Sequence, residues 1–599
     1  MRADYIVKNA RVFQTFRQCF ETRDVAVRNG KIYEVMPELA AADPSVPVYD
    51  AGGRYMIPGL IDIHMHIESS MTYPEEFSRI ALRHGTTTVA ADAHEIANVF
   101  GMEGLDAFLR QETAMDIFYA IPSSVPATDL SLETSGGVIG LNEVETLLSD
   151  ERILCLGEVM NFKSLVPEDD RDTLIRRMIR LCQEKRGRDI RLEGHCPKIT
   201  GLDLNHFIYE GVDADHTQQT PESVLEKTEL GMFLELQLKS LTADVVKTVC
   251  ENHLYENVAL ITDDTMPDRL LNGQLNHILR TAVQAGMPAE KAIYCATWTP
   301  ARRMHLDDRG MIAPGKIADF LLLSDLEGFR PEVVVKSGRV EKDEAGMFAG
   351  NMDGTVACGN TAGDAERVAF KEQHGRAHAS VRFPEHFFHS VDCRPAQLSD
   401  FVLRAEKPCE AVLANVMQIS IFGTATKQVQ RRIPVRDGVI CWQEAGLSLA
   451  VLYERHGKNG NVAYGLVEGA FTKPGAAATT WSHDSHNLMV LGTSPEDMLA
   501  AQHRVIELQG GYVAAAGGSV IAEAELSVGG ILSAGPVESL AESLGRVRQA
   551  MRDLGYENNN EIMSMSTLAL PVSPALKMTD YGLLDVRTQE SVPLVAQYL

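Results

Sequence analysis

Residues 4–56 alternate apolar and polar positions in short runs, DYIVKNARVF, VAVRNGKIYEVM and VPVYDAGGRYMI. Alternation with period two predicts strands with one buried face. The Asn29-Gly30 step between two of these runs predicts a hairpin, because both residues tolerate the positive φ that a tight turn requires. From Pro58 the pattern changes to apolar run, polar loop and amphipathic stretch, repeated. The apolar runs are IPGLIDIH, TTTVAAD, DIFYAIP, ILCLGEV, DIRLEG, GVDAD, GMFLEL and VALITD. Between them lie segments such as PEEFSRIALRHG, DTLIRRMIRLCQEKRG and QLNHILRTAVQAGM, with apolar residues at helical spacing. Eight such units across about 250 residues predict a (β/α)8 TIM barrel, an α/β fold. An open doubly wound sheet is the competing reading, but no glycine-rich phosphate turn follows the first strand.

After the barrel, MIAPGKIADFLLL and PEVVVKSGRV return to alternation, as if completing the sheet begun by residues 4–56. The expected organisation is a small β-sandwich split into residues 1–57 and 311–340, with the barrel inserted as residues 58–310. Residues 341–385, polar and glycine-rich, are expected to form a linker or long loop, and 386–599 a C-terminal α+β domain.

Composition narrows the partners. With 56 Lys+Arg against 82 Asp+Glu the formal net charge is -26, so the surface repels phosphate backbones and anionic lipid, and neither nucleic acid nor membrane is expected as a partner. The ten cysteines are scattered without a CxxC pair, which points to reduced thiols. The N-terminus has no apolar signal region and no long uncharged apolar run occurs, so a cytoplasmic protein is expected.

In a barrel the catalytic side chains come from the C-terminal ends of the strands. Strand one ends in His64-Met65-His66, whose alternate side chains point the same way. Strand two ends in Asp92, followed by His94 and Glu95. Strand four ends in Glu158, strand five in His195, strand six in His216 and strand eight in Asp263, with Asp264 beside it. Four imidazoles and two carboxylates from five strands suit divalent metal ions, and a carboxylate such as Glu158 can bridge two of them. Ser69 and Ser70 follow the first ligands and are candidates for substrate contact or for a simple turn. His483, Asp484, His486 and Asn487 form a polar cluster between apolar stretches of the third domain, as a lid or, in the favoured reading, an interface support.

The strings PGLIDIHMHIESSMTYPEEF, HGTTTVAADAHEIANVFG, LGEVMNF, EGHCPKITGLDLN, VDADH and ITDD resemble the amidohydrolase superfamily, and within it the bacterial adenine deaminases. SHDSHN, GGILSAGP and LALPVSPALKMTDYGLLDV carry the resemblance through the third domain. The resemblance implies one metal on His64, His66 and Asp263, a second on His195 and His216, and Glu158 as the bridge. Many superfamily relatives use a carbamylated lysine there, but Lys163 lies beyond the end of strand four. It implies two divalent ions, Mn(II) first, with Fe(II) or Zn(II) as alternatives. The implied reaction is hydrolytic deamination of adenine by a hydroxide between the ions, releasing hypoxanthine and ammonia. Glu95 is the candidate to deliver a proton to N1, with His94 and Asp92 orienting it or the attacking group, the alternative for these three being a loop network of caps and salt bridges; Asp263 would pass the water proton to the departing amine. Besides adenine and water, a homo-oligomer, a dimer, is expected.

This chain departs from the family pattern at Ala93, Thr217, Gln237-Leu238-Lys239-Ser240, Thr265 and Met266, in loops expected to touch substrate. Two other readings stand beside the first. One is an amidohydrolase acting on another purine or on a cyclic amide, like a dihydropyrimidinase or dihydroorotase, which predicts a lysine at strand four. The other is a non-catalytic scaffold, which predicts eroded ligands.

Overall fold

A computed structural model describes residues 3–40, 44–166, 172–187, 189–348 and 383–599. Strands Tyr5–Gln14, Cys19–Arg28, Lys31–Met36, Val48–Asp50 and Tyr55–Pro58 join Phe320–Leu323, Val333–Lys336 and Arg339–Asp343 in one eight-stranded sheet. Its two halves meet where Tyr55–Pro58 runs antiparallel to Phe320–Leu323, with Ile57 opposite Leu321. The small sandwich that the sequence suggests is thus one connected ladder. Tyr5–Gln14 is long enough to pair with Cys19–Arg28 on one side and with both Val48–Asp50 and Tyr55–Pro58 on the other. Asn29 and Gly30, at φ 51° and 71°, form the turn between the second and third strands. Of the expected linker, residues 349–382 lie outside the described residues. The strand Arg339–Asp343 runs into its beginning, and Phe348 is buried against Tyr49, ring centres 4.2 Å apart.

The segment between the two halves is built on parallel strands. Leu60–His66, Thr86–Ala91, Asp116–Ile121, Ile153–Val159, Arg191–Gly194 and Asp263–Asp264 form a curled six-stranded parallel sheet. Ala214–Asp215, Phe233–Leu236 and Val258–Leu260 form a second parallel sheet of three. Every residue of Leu60–His66 and Thr86–Ala91 is buried, as expected when helices cover one face and side-chain layers fill the other. The eighth apolar run divides between the sheets: Val258–Leu260 pairs with Phe233–Leu236, and Asp263–Asp264 pairs with Leu60–His66. The break falls at Ile261-Thr262, where the Thr262 hydroxyl donates to Asp62 Oδ2 at 2.5 Å. Helix Pro74–Arg83 shows why the intervening segments are helical. It starts on proline, has Glu75 and Glu76 in its first turn and Arg83 in its last, and buries Phe77, Ile80 and Ala81.

The C-terminal part holds a ten-stranded sheet with helices Pro495–Glu507 and Val537–Asp553 packed on it. Within it Ala476–Thr479 and Leu488–Gly492 pair antiparallel, Thr479 opposite Met489, so residues 480–487 form the tip of a hairpin. This part is joined to the parallel sheets by polar contacts. Thr134 donates to Asp580 from both amide and hydroxyl, at 2.8 and 2.7 Å, and Val537 N donates to Glu76 Oε1 at 3.0 Å. Among the described residues no helix is long and apolar enough to cross a membrane.

Candidate active site

The C-terminal ends of the parallel strands bring the six expected ligands together. His64, His66 and Asp263 can each offer a donor atom so that the three lie within 4.8 Å of one another, and so can Glu158, His195 and His216. Glu158 touches both groups: Oε1 is 3.5 Å from His66 Nε2, while Oε2 is 2.8 Å from His195 Nδ1 and 3.1 Å from His216 Nε2. Donors around one ion with ~2.0–2.2 Å bonds stand roughly 3.3 Å apart, so these separations suit ions. His64 Nε2 is buried without a hydrogen-bond partner, which leaves it free toward a cation. Burial and the stacked His216 ring, 3.9 Å away, push His64 down to about 3, so it is a neutral imidazole able to coordinate.

Supporting groups orient this set. His66 Nδ1 is 2.9 Å from the carbonyl of Asp92, and Asp92 Oδ2 accepts the amide of Glu158 at 3.0 Å. One buried aspartate therefore ties strand two to the backbone of Glu158. His94 Nδ1 stands 3.5 Å from Asp92 Oδ1. Burial opposes its protonation, but Asp92 outweighs burial and raises His94 to about 10. Asp264 accepts the Ser69 hydroxyl at 2.5 Å, and the Ser70 hydroxyl donates to the carbonyl of Ile67 at 2.6 Å, closing a 3-10 turn. Both hydroxyls thus have protein partners.

Sequence reasoning passed over Glu235 and gave Gln237 no role beyond expected substrate contact. Glu235, inside the apolar run FLEL, is fully buried with its Oε2 4.0 Å from His64 Nδ1. Burial and then Glu193 push its carboxyl well above the ordinary range. A lone acid within an apolar strand was the available signal. Gln237, one of the family departures, donates from Nε2 to Asp263 Oδ2 at 2.6 Å and to the His216 carbonyl at 3.3 Å. Thr217 likewise donates to Asp215, at 2.9 Å.

Glu95 lies in the first turn of helix His94–Phe100, its Oε1 3.7 Å from His94 Nε2. Its other neighbours come from the hairpin tip: His483 Nδ1 contacts Oε1 and His486 Nε2 contacts Oε2. Asp484 Oδ2 is 4.0 Å from His94 Nε2. His483 and His486 thus meet Glu95, while Asn487 Nδ2 donates to the carbonyl of Thr134 at 2.9 Å, so the cluster also joins the C-terminal part to the parallel-sheet segment.

A profile of the amidohydrolase family matches residues 55–341, and one of the adenine deaminase C-terminal domain matches residues 423–590. A protein of Oenococcus oeni named Adenine deaminase 2 is 46% identical over 595 residues, covering 99% of either chain. An adenine deaminase of Clostridium perfringens is 46% identical over 595 residues, covering 99% of this chain and 100% of its own. Among solved structures, a β-aspartyl dipeptidase of Fervidobacterium islandicum is 20% identical with a TM-score of 0.46, covering 58% of this chain and 100% of that one.

Proposed function

The chain belongs to the adenine deaminase family of amidohydrolases, and from that premise we propose that it hydrolyses adenine to hypoxanthine and ammonia. The observation that carries this reading is the convergence of His64, His66, Glu158, His195, His216 and Asp263, with His94 standing between Glu158, at 3.8 Å, and Glu95, at 3.7 Å. We read the two parallel sheets as one (β/α)8 barrel inserted in the split sheet, with residues 386–599 as a C-terminal domain.

His64, His66 and Asp263 would hold one divalent ion, His195 and His216 a second, and Glu158 would bridge them. Mn(II) is the first choice, and imidazole and carboxylate donors without thiolate also accept Fe(II) or Zn(II). When bound, such ions make hydroxide available at neutral pH. The chain's own residues supply the rest. Attack at C6 disrupts the aromatic ring and raises electron density on N1, which Glu95 protonates; such acid catalysis contributes about 10²- to 10⁴-fold. Asp92 and His94 fix the approach to Glu158 and Glu95. Asp263, with Oδ2 held by Gln237, carries the proton shed by the attacking water to the departing amine.

Ammonia release by Mn(II)-loaded protein from adenine, guanine, adenosine and cytosine tests the reading. Adenine is the expected substrate. Release from none of the four, with hydrolysis of a cyclic imide instead, would overturn it.

A further inference from the structure

Loop 480–487 takes both oxygens of Glu95, one with each imidazole. Glu95, His483 and His486 are all buried. Burial pushes the Glu95 carboxyl up, but the two imidazoles outweigh it and hold the group well below the ordinary range. A carboxylate so held is an anion, whereas protonation of N1 requires a group that carries a proton.

The two imidazoles differ in their neighbours. His483 Nδ1, besides meeting Glu95, is 3.4 Å from Asp484 Oδ1, so two carboxylates flank one ring. Two anions favour the imidazolium form. His486 has a cation beside it: Arg455 donates from Nε to the His486 carbonyl, and also donates to the carbonyls of Ser390 and Gly529 at 2.9 and 2.8 Å. A guanidinium favours the neutral ring. The remaining charged groups near Glu95 are His94, at 3.7 Å, and Glu68, whose Oε1 accepts the amide of Ile96 at 3.1 Å. Neither touches His483 in the contacts described. The backbone that presents the pair is braced: His486 N donates to Ser482 O at 2.8 Å, and Asn487 Nδ2 donates across to Thr134 O at 2.9 Å.

We infer that His483 is the proton store for Glu95 in this reaction and that His486 is a positioning residue that holds the carboxylate in place. The inference rests on the reading of Glu95 as the acid for N1. The proton leaves His483 Nδ1 for Glu95 Oε1 and passes to N1 as oxygen bonds to C6, where the electron pair displaced from the C6–N1 double bond receives it. His483, left neutral, is reprotonated from solvent, which has gained the proton that water loses in becoming hydroxide, while the proton still on the oxygen added at C6 goes through Asp263 to the departing amine. Adenine and water then give hypoxanthine, which keeps the N1 hydrogen, and ammonia. The C-terminal domain thereby supplies part of the catalytic machinery.

The test uses the full-length Mn(II)-loaded protein, with kcat, KM, pH profile and metal content measured for Glu95→Gln, His483→Asn, His486→Gln, His486→Ala and Asp484→Asn. Asparagine keeps a donor near the Nδ1 position and glutamine one near Nε2, but neither amide can store a proton. Expected for His483→Asn is a fall in kcat of about 10²-fold or more, the low end for acid catalysis, with KM within about threefold and metal content unchanged. His486→Gln should retain most of the activity that His486→Ala loses. In Asp484→Asn, which leaves the imidazole in place, the alkaline limb of the kcat profile should move to lower pH by about one unit, since one of two flanking anions is gone.

Wild-type kcat in His483→Asn, or an unmoved alkaline limb in Asp484→Asn, would overturn the inference while leaving Glu95 as the acid, provided Glu95→Gln is inactive. Normal turnover in Glu95→Gln would instead remove the underlying reading. Loss of metal together with activity in His483→Asn would make the loop part of the metal site and would also overturn the inference.

Discussion

Replacing Gln237 by leucine should lower kcat while leaving substrate affinity nearly unchanged. The Gln237 amide ties the ends of three successive parallel strands, since it stands just after Phe233–Leu236 and donates to Asp263 Oδ2 at 2.6 Å and to the carbonyl of His216 at 3.3 Å. Asp263 depends on such support, because its backbone lies at φ 58°, a region that non-glycine residues seldom adopt. Leucine fills a similar volume but donates nothing, and Asp263 keeps a buried charge with one partner fewer. A hydrogen bond to a charged group contributes about 1.5–3 kcal/mol. If that loss falls on the transition state, kcat/KM drops by about 10- to 150-fold. The fall should appear in kcat because Asp263 moves a proton in the proposed reaction, whereas a direct substrate contact, as the sequence suggests for Gln237–Ser240, would appear in KM. Initial rates of ammonia release over a range of adenine concentrations separate the two, with bound metal measured on the same samples. A kcat unchanged from the native enzyme, whether or not KM rises, would refute the reasoning.

Glu158→Gln should reduce bound metal from about two ions per chain toward one or none, since Glu158 is within 3.5 Å of donors in both groups; full occupancy with normal turnover would rule out the bridge. Lys227→Met breaks the buried pair with Asp215, 2.7 Å apart and with side chains 3% and 0% exposed, at an expected cost of about 3–5 kcal/mol. A denaturation midpoint indistinguishable from the native one would contradict that. Lys577 is buried and donates to the carbonyl of Thr424 at 3.0 Å, and burial lowers it from 10.5 to about 7. The unfolded chain then holds more protons between about pH 7 and 10.5, so this lysine makes stability rise with pH across that window. Lys577→Met should abolish the rise and stabilise the protein at pH 7 by roughly 4 kcal/mol before the lost hydrogen bond is counted, from 1.36 kcal/mol per pH unit. Denaturation midpoints at pH 7 and pH 10 that change in parallel with the native protein would sink this.

The candidate metal-ligand set is readable in the sequence because it obeys two local rules. Parallel strands alternate with helices, and the side chains that matter stand at strand ends, so His64, His66, Glu158, His195, His216 and Asp263 can be found one strand at a time. What local rules cannot encode is which distant segment docks on that rim. His486 meets Glu95 across 391 residues, and no periodicity in SHDSHN distinguishes a hairpin tip that enters a site from one that braces an interface. Glu235, and the role of Gln237, escaped for another reason. Gln237 acts through Asp263 and Glu235 lies behind His64, and a side chain that acts through another carries no motif of its own. The break in strand eight also depends on a remote partner, because Thr262 leaves the regular ladder to bind Asp62. The net charge of -26 is in this light a poor guide to the surface. Asp92, Glu95, Glu158, Glu235 and Asp263 are buried, and their balance is settled by imidazoles, protons and the ions they would bind rather than by solvent.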